Sequence, residues 1–382
     1  MLAIYRKYRP KKLNDIIGQE IVVEILKNAA RFDKLAHAYF FYGPRGSGKT
    51  TTARLIAKIA NCEKRQIDQK FKALGEPCNK CRPCVEIDEG KFLDVIEIDA
   101  ASNRGIDEIR NLKEGIKFSP ISGKCKVYII DEAHQLTKEA FNALLKTLEE
   151  PPEHAIFILA TTEAEKMPVT IISRTQRFHF KRLPILKIVE KLKIICEEEK
   201  IKADIDALEL IAASAEGSLR DAESLLDQIA SLAALPSEPR FQREEKIILE
   251  NVENILSRVG FSRTAEFAEL LIENNIEKVL NYLSKINEGG HNLTQFNKDL
   301  IHYLRRSLAL KFAPSLENEF KKELTDAELK LLKSHSQKIN SPANEQKIIN
   351  LIKSLIRAYT EMKYSPFAIA PLEVAIIENL KT

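Results

Sequence analysis

The chain has 382 residues, a length that predicts two or three domains at about 100 to 200 residues per domain. Hydrophobic residues make up 44% of the sequence, enough to build a buried core, which excludes a chain that is disordered throughout. With 59 Lys and Arg against 55 Asp and Glu, the net charge of +4 is too small to indicate a nucleic-acid partner by itself, although a locally basic face could exist.

The first ten residues, MLAIYRKYRP, lack an apolar run of signal-peptide length. No later stretch approaches the ~18 consecutive apolar residues that a membrane span needs. We therefore expect a cytoplasmic protein with no membrane partner.

Four apolar runs in the first half of the sequence do not alternate with polar residues, a pattern typical of strands that helices cover on both faces. These runs occupy residues 38–42, 95–98, 127–130 and 155–160, and helical patterns lie between them. They predict an α/β fold with a parallel sheet, and a first domain over residues 1–180.

After about residue 180 the strand signal gives way to apolar stripes at helical spacing. The stripes include Leu208, Ile211, Ala212 and Ala215, then Ala222, Leu226 and Ile229, and later Ile276, Val279, Leu280 and Leu283. Two prolines within residues 235–240 indicate a linker. We predict a small helical domain over residues 181–234 and an all-helical domain over residues 241–380.

A glycine-rich segment, GPRGSGKT at residues 43–50, matches the pattern G-x-x-x-x-G-K-[ST] between a predicted strand and a predicted helix. Backbone N–H groups and a helix N-terminus suit phosphates, the Lys49 side chain can reach the β- and γ-phosphates, and the Thr50 hydroxyl can ligate Mg²⁺. The alternative is an ordinary glycine-rich turn. The predicted nucleotide-binding residues are Gly43, Pro44, Arg45, Gly46, Ser47, Gly48, Lys49, Thr50 and Thr51.

Three cysteines, Cys78, Cys81 and Cys84, are spaced by two residues, which in a reducing compartment indicates a metal site rather than disulfides. Cys62, at the end of the predicted helix after the glycine-rich loop, can supply a fourth thiolate for a tetrahedral structural zinc site. An iron–sulfur run would need another cysteine three residues after Cys84, followed by proline, and residues 85–89 offer neither. The sequence therefore predicts an inserted zinc module over residues 62–84, with Cys125 and Cys196 as packing residues.

Two acids, Asp131 and Glu132, follow the predicted strand at residues 127–130, at the strand end where open α/β sheets bind ligands. Asp131 would hold Mg²⁺ directly or through water, and Glu132 would orient and polarise an attacking water. The alternative is an acidic pair that the dipole favours at a helix N-terminus. We interpret His134 as a packing or capping residue.

Several motifs resemble the clamp-loader branch of the AAA+ ATPases, and as an ordered set they are similar to the gamma/tau family of bacterial DNA polymerase III. They are YRKYRP at residues 5–10, IGQE at 17–20, the cysteine cluster, DEAH at 131–134, the stretch 148–174 that begins LEEPPEH and ends ISR, and EGSLRDAESLLDQ at 216–228. The resemblance implies an AAA+ P-loop module followed by a helical lid domain and a helical collar domain.

The resemblance also implies roles for three residues outside the loop. Thr162 matches the sensor-1 position near the γ-phosphate, and Arg220 matches the sensor-2 arginine of the lid. Arg174 would be the arginine finger that reaches the ATP of a neighbouring subunit. Thr175 stands where the family motif has cysteine. The alternatives are a turn threonine, a surface helix arginine and a solvated strand-end arginine, respectively.

The N-terminal segments match the adenine pocket of the family, where Tyr8, Arg9 and Ile17 would contact the base; a purely structural arm is the alternative. The resemblance places a zinc site at the cysteine cluster as well. The stretch between Cys62 and Cys78 is longer here than the usual family pattern, which leaves the fourth ligand open.

A DNA contact is expected at residues 100–110, which follow a predicted strand and open a helix. Its backbone N–H groups could bind a DNA phosphate, assisted by Arg104 and Arg110. For either arginine, a solvated surface charge is the alternative.

Taken together, the resemblance implies a DNA-stimulated ATPase, the motor subunit of a clamp loader that uses ATP, Mg²⁺ and Zn²⁺. The implied partners are delta, delta prime and further gamma/tau copies, the sliding clamp, and primer-template DNA, with polymerase chemistry on another subunit. One alternative is another AAA+ DNA-remodelling ATPase, such as a branch-migration motor, which would lack the cysteine cluster. The other alternative is a non-enzymatic scaffold that only binds nucleotide. The presence of Lys49, Glu132 and Thr162 argues against it.

Overall fold

The computed structural model describes residues 3–102, 114–116, 118–233, 246–321 and 323–381. The chain forms two compact units, one made of Met1–Leu183 with Gly217–Asp221 and the other of Pro184–Glu216 with Ala222–Thr382. The predicted DNA residues Arg104 and Arg110 and the predicted linker at residues 235–240 lie outside the described residues. The three-domain division stays a prediction.

The first unit contains a five-stranded sheet in which every neighbouring pair is parallel. Its strands, in the spatial order β2-β3-β4-β1-β5, are β1 Ala38–Tyr42, β2 Val95–Asp99, β3 Lys126–Asp131, β4 Ala155–Thr161 and β5 Gln176–His179. This topology confirms the predicted α/β fold. The edge strand β5 was not predicted, because three of its four residues, Gln176, Arg177 and His179, are polar and form no apolar run.

Successive side chains of the central strands point to opposite faces of the sheet, and both faces are covered. Tyr39 and Phe41 of β1 pack into one core, whereas Phe40 packs into the other. In β3, Val127 and Ile129 join the first core and Tyr128 joins the second. This two-sided burial explains why these runs show no polar alternation.

Helices connect and flank the strands of this unit. Their bounds are α1 Ile4–Lys7, α2 Glu20–Arg31, α3 Lys49–Asn61, α4 Glu63–Ile67, α5 Gln69–Lys72, α6 Arg82–Glu89, α7 Lys138–Glu149 and α8 Val169–Ile172. Short 3-10 helices occupy Leu13–Asp15, Ala133–Gln135 and Ala164–Lys166. In α7, the Thr137 hydroxyl caps the N-terminus by accepting a bond from the Ala140 N–H, and Phe141 and Leu144 are buried.

Helices are the regular secondary structure of the second unit in its described residues, with one isolated bridge between Ala203 and Ile247. Its helices are α9 Ile185–Glu199, α10 Ile205–Ser214, α11 Leu219–Ala233, which begins in the first unit, α12 Leu249–Leu256, α13 Phe261–Ile272, α14 Ile276–Glu288, α15 Leu293–Phe312, α16 Glu317–Phe320, α17 Asp326–Lys338, α18 Pro342–Met362 and α19 Ile369–Leu380. A 3-10 turn spans Pro314–Leu316. Among the described residues, no helix is both long and apolar enough to cross a membrane.

Candidate nucleotide site and cysteine centre

The glycine-rich loop joins the end of β1 to the start of α3, as predicted, and two of its glycines are required by close packing. Gly46 has φ of 70°, and a Cβ there would lie 1.8 Å from Ser218 Oγ. A Cβ on Gly43 would lie 2.1 Å from the Phe180 carbonyl oxygen. Only glycine fits such positions without moving the backbone. Arg45 is exposed, whereas Ser47 is buried.

Lys49 is the first residue of α3, and its side chain turns back onto the loop. Its Nζ donates to the carbonyl oxygens of Gly43 and Pro44, both at 2.8 Å. Burial lowers the pKa of Lys49, while the nearby carboxylates of Glu132 and Asp131 act in the opposite direction. The ammonium is therefore held beside the loop by partners that anionic oxygens could replace.

The side chains of Thr50, in α3, and Asp131, at the end of β3, are in contact. The Thr50 hydroxyl donates to Asp131 Oδ2 at 2.7 Å, and Asp131 Oδ1 accepts a bond from the Glu132 N–H at 3.0 Å. A hydroxyl and a carboxylate supply the hard oxygen ligands that Mg²⁺ takes in phosphate sites. The residues present thus fit a magnesium ion at this point.

Glu132 and Thr162 are brought together because β3 and β4 are neighbouring parallel strands that end at the same edge of the sheet. Glu132 Oε2 accepts bonds from the Thr162 hydroxyl at 2.9 Å and from the Thr162 N–H at 3.2 Å. The Glu132 backbone has φ of 47°, a strained value for a non-glycine residue that often marks a functional site.

His134, which we interpreted from the sequence as a packing or capping residue, touches Glu132 of this pair. Its Nδ1 lies 2.8 Å from Thr161 Oγ1 and 3.4 Å from Glu132 Oε2, and its Nε2 lies 3.0 Å from Glu163 Oε1. Its side chain is only 4% exposed. No sequence pattern distinguishes this contact from simple packing.

The N-terminal arm, residues 4–19, lies against the loop and the start of α11. The Arg220 guanidinium lies over the Tyr5 ring, 5.3 Å from its centroid. Burial lowers the pKa of Arg9, and the positive charge of Arg54 adds to the effect. Tyr8 and Ile17 are half-buried in the same arm.

Gln19, part of the IGQE motif but not among the predicted site residues, fastens the arm. Its amide exchanges two hydrogen bonds with the backbone of Lys181, donating to the carbonyl oxygen at 2.8 Å and accepting from the N–H at 3.1 Å. Its Nε2 also lies 3.5 Å from the Ser47 carbonyl oxygen. The arm is therefore tied to the loop on one side and to the segment after β5 on the other.

Arg174 follows α8 and lies elsewhere on the first unit. Its guanidinium donates to the Thr170 carbonyl oxygen at 2.8 Å and forms an ion pair with Glu149 at the end of α7. In the described part of the chain, no hydrogen bond or ion pair joins it to Lys49 or Glu132.

The four predicted cysteines form one cluster, including Cys62, whose place the spacing had left open. Their sulfur atoms all lie within 4.8 Å of one another, with Cys78–Cys84 and Cys62–Cys81 separations of 4.0 Å. Zn–S bonds of about 2.3 Å in a tetrahedron would give sulfur separations of roughly 3.8 Å, so the set fits zinc. A hydrogen bond from the Cys84 thiol, supported by the Cys78 N–H, lowers the pKa of Cys62.

Three family models match consecutive parts of the chain. The model of the DNA polymerase III delta subunit matches residues 18–184, and the model of the ATPase lid domain of the DNA polymerase III clamp loader subunit matches residues 187–234. The model of domain III of DNA polymerase III subunits gamma and tau matches residues 247–381.

Curated relatives match most or all of the chain. The DNA polymerase III subunit tau of Bacillus subtilis is 41% identical over 380 residues, which are 100% of this chain and 63% of the relative. The tau subunit of Escherichia coli is 39% identical over 82% of this chain and 46% of the relative. The gamma subunit of Buchnera aphidicola from Schizaphis graminum is 35% identical over 98% of this chain and 97% of the relative. The chain thus spans less than two thirds of these tau relatives.

Among solved structures, the branch migration motor RuvB of Thermotoga maritima aligns with a TM-score of 0.46 and 19% identity, over 70% of this chain and 80% of that chain. A likeness this distant does not bear on function.

Proposed function

The chain belongs to the family of DNA polymerase III gamma and tau subunits, and from that premise we propose that it is an ATP-hydrolysing motor subunit of a clamp loader. The observation that carries the proposal is the hydrogen bond of 2.7 Å between the Thr50 hydroxyl and Asp131 beside the glycine-rich loop. It joins the two groups that phosphoryl-transfer sites use to hold a magnesium ion.

The triphosphate of ATP would lie on the backbone N–H groups of residues 43–51 at the N-terminus of α3. Lys49 would exchange its two loop carbonyls for phosphate oxygens, while Tyr8, Arg9 and Ile17 of the arm would contact the base. Mg²⁺, held by Thr50 and Asp131, would neutralise charge on the β- and γ-phosphates.

Hydrolysis is attack of water on the γ-phosphorus: the bond from that phosphorus to the β,γ-bridging oxygen breaks, ADP is the leaving group, and inorganic phosphate is the other product. Glu132 would orient this water, and its bonds to Thr162 hold both side chains at the edge of the sheet where the γ-phosphate would lie. Arg220, over the Tyr5 ring, would reach the nucleotide from the start of α11.

Arg174 would complete the site of a neighbouring subunit. Its ion pair with Glu149 lies at the surface, where such pairs are worth about 0–1 kcal/mol, so another anion can replace Glu149 at little cost. A finger supplied in this way accelerates phosphoryl transfer about 10³- to 10⁵-fold, which makes hydrolysis depend on assembly.

The proposed assembly contains delta, delta prime and further gamma/tau copies, and it opens the sliding clamp and closes it on primer-template DNA. Arg104 and Arg110 would contact the DNA backbone, with salt-sensitive binding and little base preference. The cysteine cluster would hold a structural zinc ion. This cluster disfavours a branch-migration motor, and the paired Glu132 and Thr162 disfavour a scaffold that only binds nucleotide.

The test is clamp loading by the complete complex, reconstituted with the other subunits, the clamp and primer-template DNA. Lys49→Ala should abolish ATP-dependent loading, while the exposed Lys34→Ala in the same unit should load normally. Loading that survives Lys49→Ala, or a wild-type chain that does not co-purify with the other subunits, would reject the proposal.

A further inference from the structure

The cysteine module, defined as residues 62–90, reaches the N-terminal arm through one buried carboxylate. Glu76, two residues before Cys78, is 6% exposed. Its Oε2 accepts a bond from the Leu13 N–H at 2.7 Å, and its Oε1 accepts one from the Asn14 N–H at 3.1 Å. A buried carboxylate with two backbone donors is a strong, directional contact.

The Leu13 and Asn14 N–H groups are the first two backbone donors of the 3-10 helix Leu13–Asp15. Donors at the start of a helix have no partner within it, and Glu76 supplies one from outside. Lys27 of α2 closes the junction. Its Nζ donates to Asn14 Oδ1 at 2.7 Å and lies 3.5 Å from Glu76 Oε1. The arm is thus fixed to the module at one point by a charged, largely dehydrated group.

The module itself is fixed to the rest of the unit by other groups. The fully buried Lys58 ammonium on α3 lies 2.8 Å from both carboxylate oxygens of Asp88. Arg65 is buried and donates to the Ala30 carbonyl oxygen at 2.7 Å. These contacts hold the module against α2 and α3, and they thereby fix the position from which Glu76 reaches the arm.

Beyond this junction the arm runs directly to the phosphate loop. Ile16 is buried, and its Cγ2 lies 3.8 Å from where a Cβ on Gly48 would be. Gln19 then contacts Ser47 and Lys181. A displacement of the 3-10 helix would therefore move the residues that lie between this helix and Gln19, including the half-buried Ile17, relative to the phosphate loop.

We propose that Glu76 is a positioning residue for the nucleotide base: through it the cysteine module sets the arm at the distance from the phosphate loop that adenine requires. This rests on the proposed ATP site, and it gives the inserted module a role in nucleotide recognition. The phosphates are held by the loop and α3, which Glu76 does not touch. The effect of Glu76 should consequently appear in the affinity for the nucleoside and not in the affinity for phosphate.

The test compares two ligands on the full chain, ATP and inorganic tripolyphosphate, by displacement of a fluorescent ATP analogue. Glu76→Gln replaces one carboxylate oxygen by an NH₂ group that faces a backbone N–H donor. We expect ATP to bind about 5- to 10-fold more weakly and tripolyphosphate to change less than about twofold, as one charge-assisted bond is lost. Glu86→Gln, the same substitution in the same module facing Arg82, should change neither affinity.

Equal weakening of both ligands, or no weakening of ATP, would overturn the inference. A wild-type chain that binds no ATP would instead refute the proposed function. Zinc content reports whether the module stays intact in Glu76→Gln. If Glu76→Gln loses its zinc, Lys27→Met is the deciding variant, because Lys27 lies outside the module. Binding of ATP that is about twofold weaker, with unchanged tripolyphosphate binding, supports the inference. An unchanged ratio of the ATP affinity to the tripolyphosphate affinity overturns it.

Discussion

The nucleotide site and the cysteine centre share the first unit but are built in opposite ways. In the candidate nucleotide site, Lys49 is held by loop carbonyls and Glu132 by Thr162, and elsewhere on the unit Arg174 is held by Glu149. Each of these polar groups has a partner that a ligand or a neighbouring subunit could replace. The cysteine centre instead gathers four sulfur atoms within 4.8 Å, and its module is anchored by the buried Lys58.

One unit can therefore hold a site whose polar groups exchange partners and a second site whose ligands stay in place. Hydrogen bonds that exchange at small net cost, about 0.5–1.5 kcal/mol each, suit groups that must turn toward ATP and back. A four-thiolate zinc site contributes folding free energy outright and is not expected to open during a cycle. Variants that change activity without stability, or stability without activity, test this contrast between the two sites.

The largest effect is expected from Arg174→Ala in the assembled complex. Removing the finger should lower the ATP hydrolysis rate about 10³-fold or more, because charge developing on the phosphoryl group loses its partner. The affinity of the isolated chain for ATP should not change. Single-turnover hydrolysis and equilibrium binding measure the two quantities, with Arg177→Ala on the exposed side of β5 as the matched control. A parallel loss of ATP affinity would contradict the role in trans.

A slightly smaller effect is expected from Glu132→Gln. The amide cannot polarise water as a carboxylate does, so hydrolysis should fall about 10²- to 10⁴-fold while ATP still binds. The glutamine can keep a hydrogen bond to the Thr162 hydroxyl, and the thermal midpoint should stay within a few degrees of the wild-type value. A large drop in that midpoint would show that Glu132 is structural and not exchangeable.

Cys84→Ser, in contrast to Glu132→Gln, is expected to lower stability. Zinc content should fall from one ion per chain toward zero, and the free energy of unfolding should drop by about 3 kcal/mol or more, since the metal is part of the fold. Cys196→Ser, which changes a buried cysteine outside the cluster, should keep its zinc, and its thermal midpoint should still fall when a chelator removes the metal. Metal analysis and thermal unfolding with and without chelator check both. Full zinc content in Cys84→Ser would exclude this cysteine as a ligand.

The smallest effect is expected from Glu149→Gln, which weakens the surface ion pair of Arg174. Since such pairs contribute less than about 1 kcal/mol, the partner concentration that gives half-maximal ATP hydrolysis should fall only about twofold. The neighbouring Glu150→Gln should leave it unchanged. An increase in that concentration would mean that Glu149 assists the finger and does not compete for it.

The sequence predicted most of the sheet, and several residues that it predicted for the candidate site do contact one another in the structure. The physical reasons for this also explain what the sequence missed. Runs such as residues 127–130 are recognisable because both faces are buried, whereas β5 buries Phe178 alone and carries no such signal. The contact between Thr50 and Asp131 followed from motifs whose spacing reflects their chemistry.

Other contacts depend on tertiary folding that no local pattern records. Glu76 stands in an irregular stretch and finds its partners, Leu13 and Asn14, more than sixty residues earlier in the chain. Cys62 lies in the cluster because α3 ends there, despite the unusual length of the stretch that follows. Gln19 stood within a predicted motif, but its bonds to Lys181 appear only once β5 is placed beside β1.

We propose that ATP bound on the loop of one subunit is hydrolysed with the help of Arg174 from its neighbour. This proposal is tested most directly by mixing Lys49→Ala and Arg174→Ala chains within the reconstituted complex and measuring ATP hydrolysis. Each variant alone should be nearly inactive. The mixture should regain a readily measured fraction of the wild-type rate, because an Arg174→Ala subunit with bound ATP can sit beside a Lys49→Ala subunit that still carries the finger. A mixture as inactive as either variant alone would contradict the account.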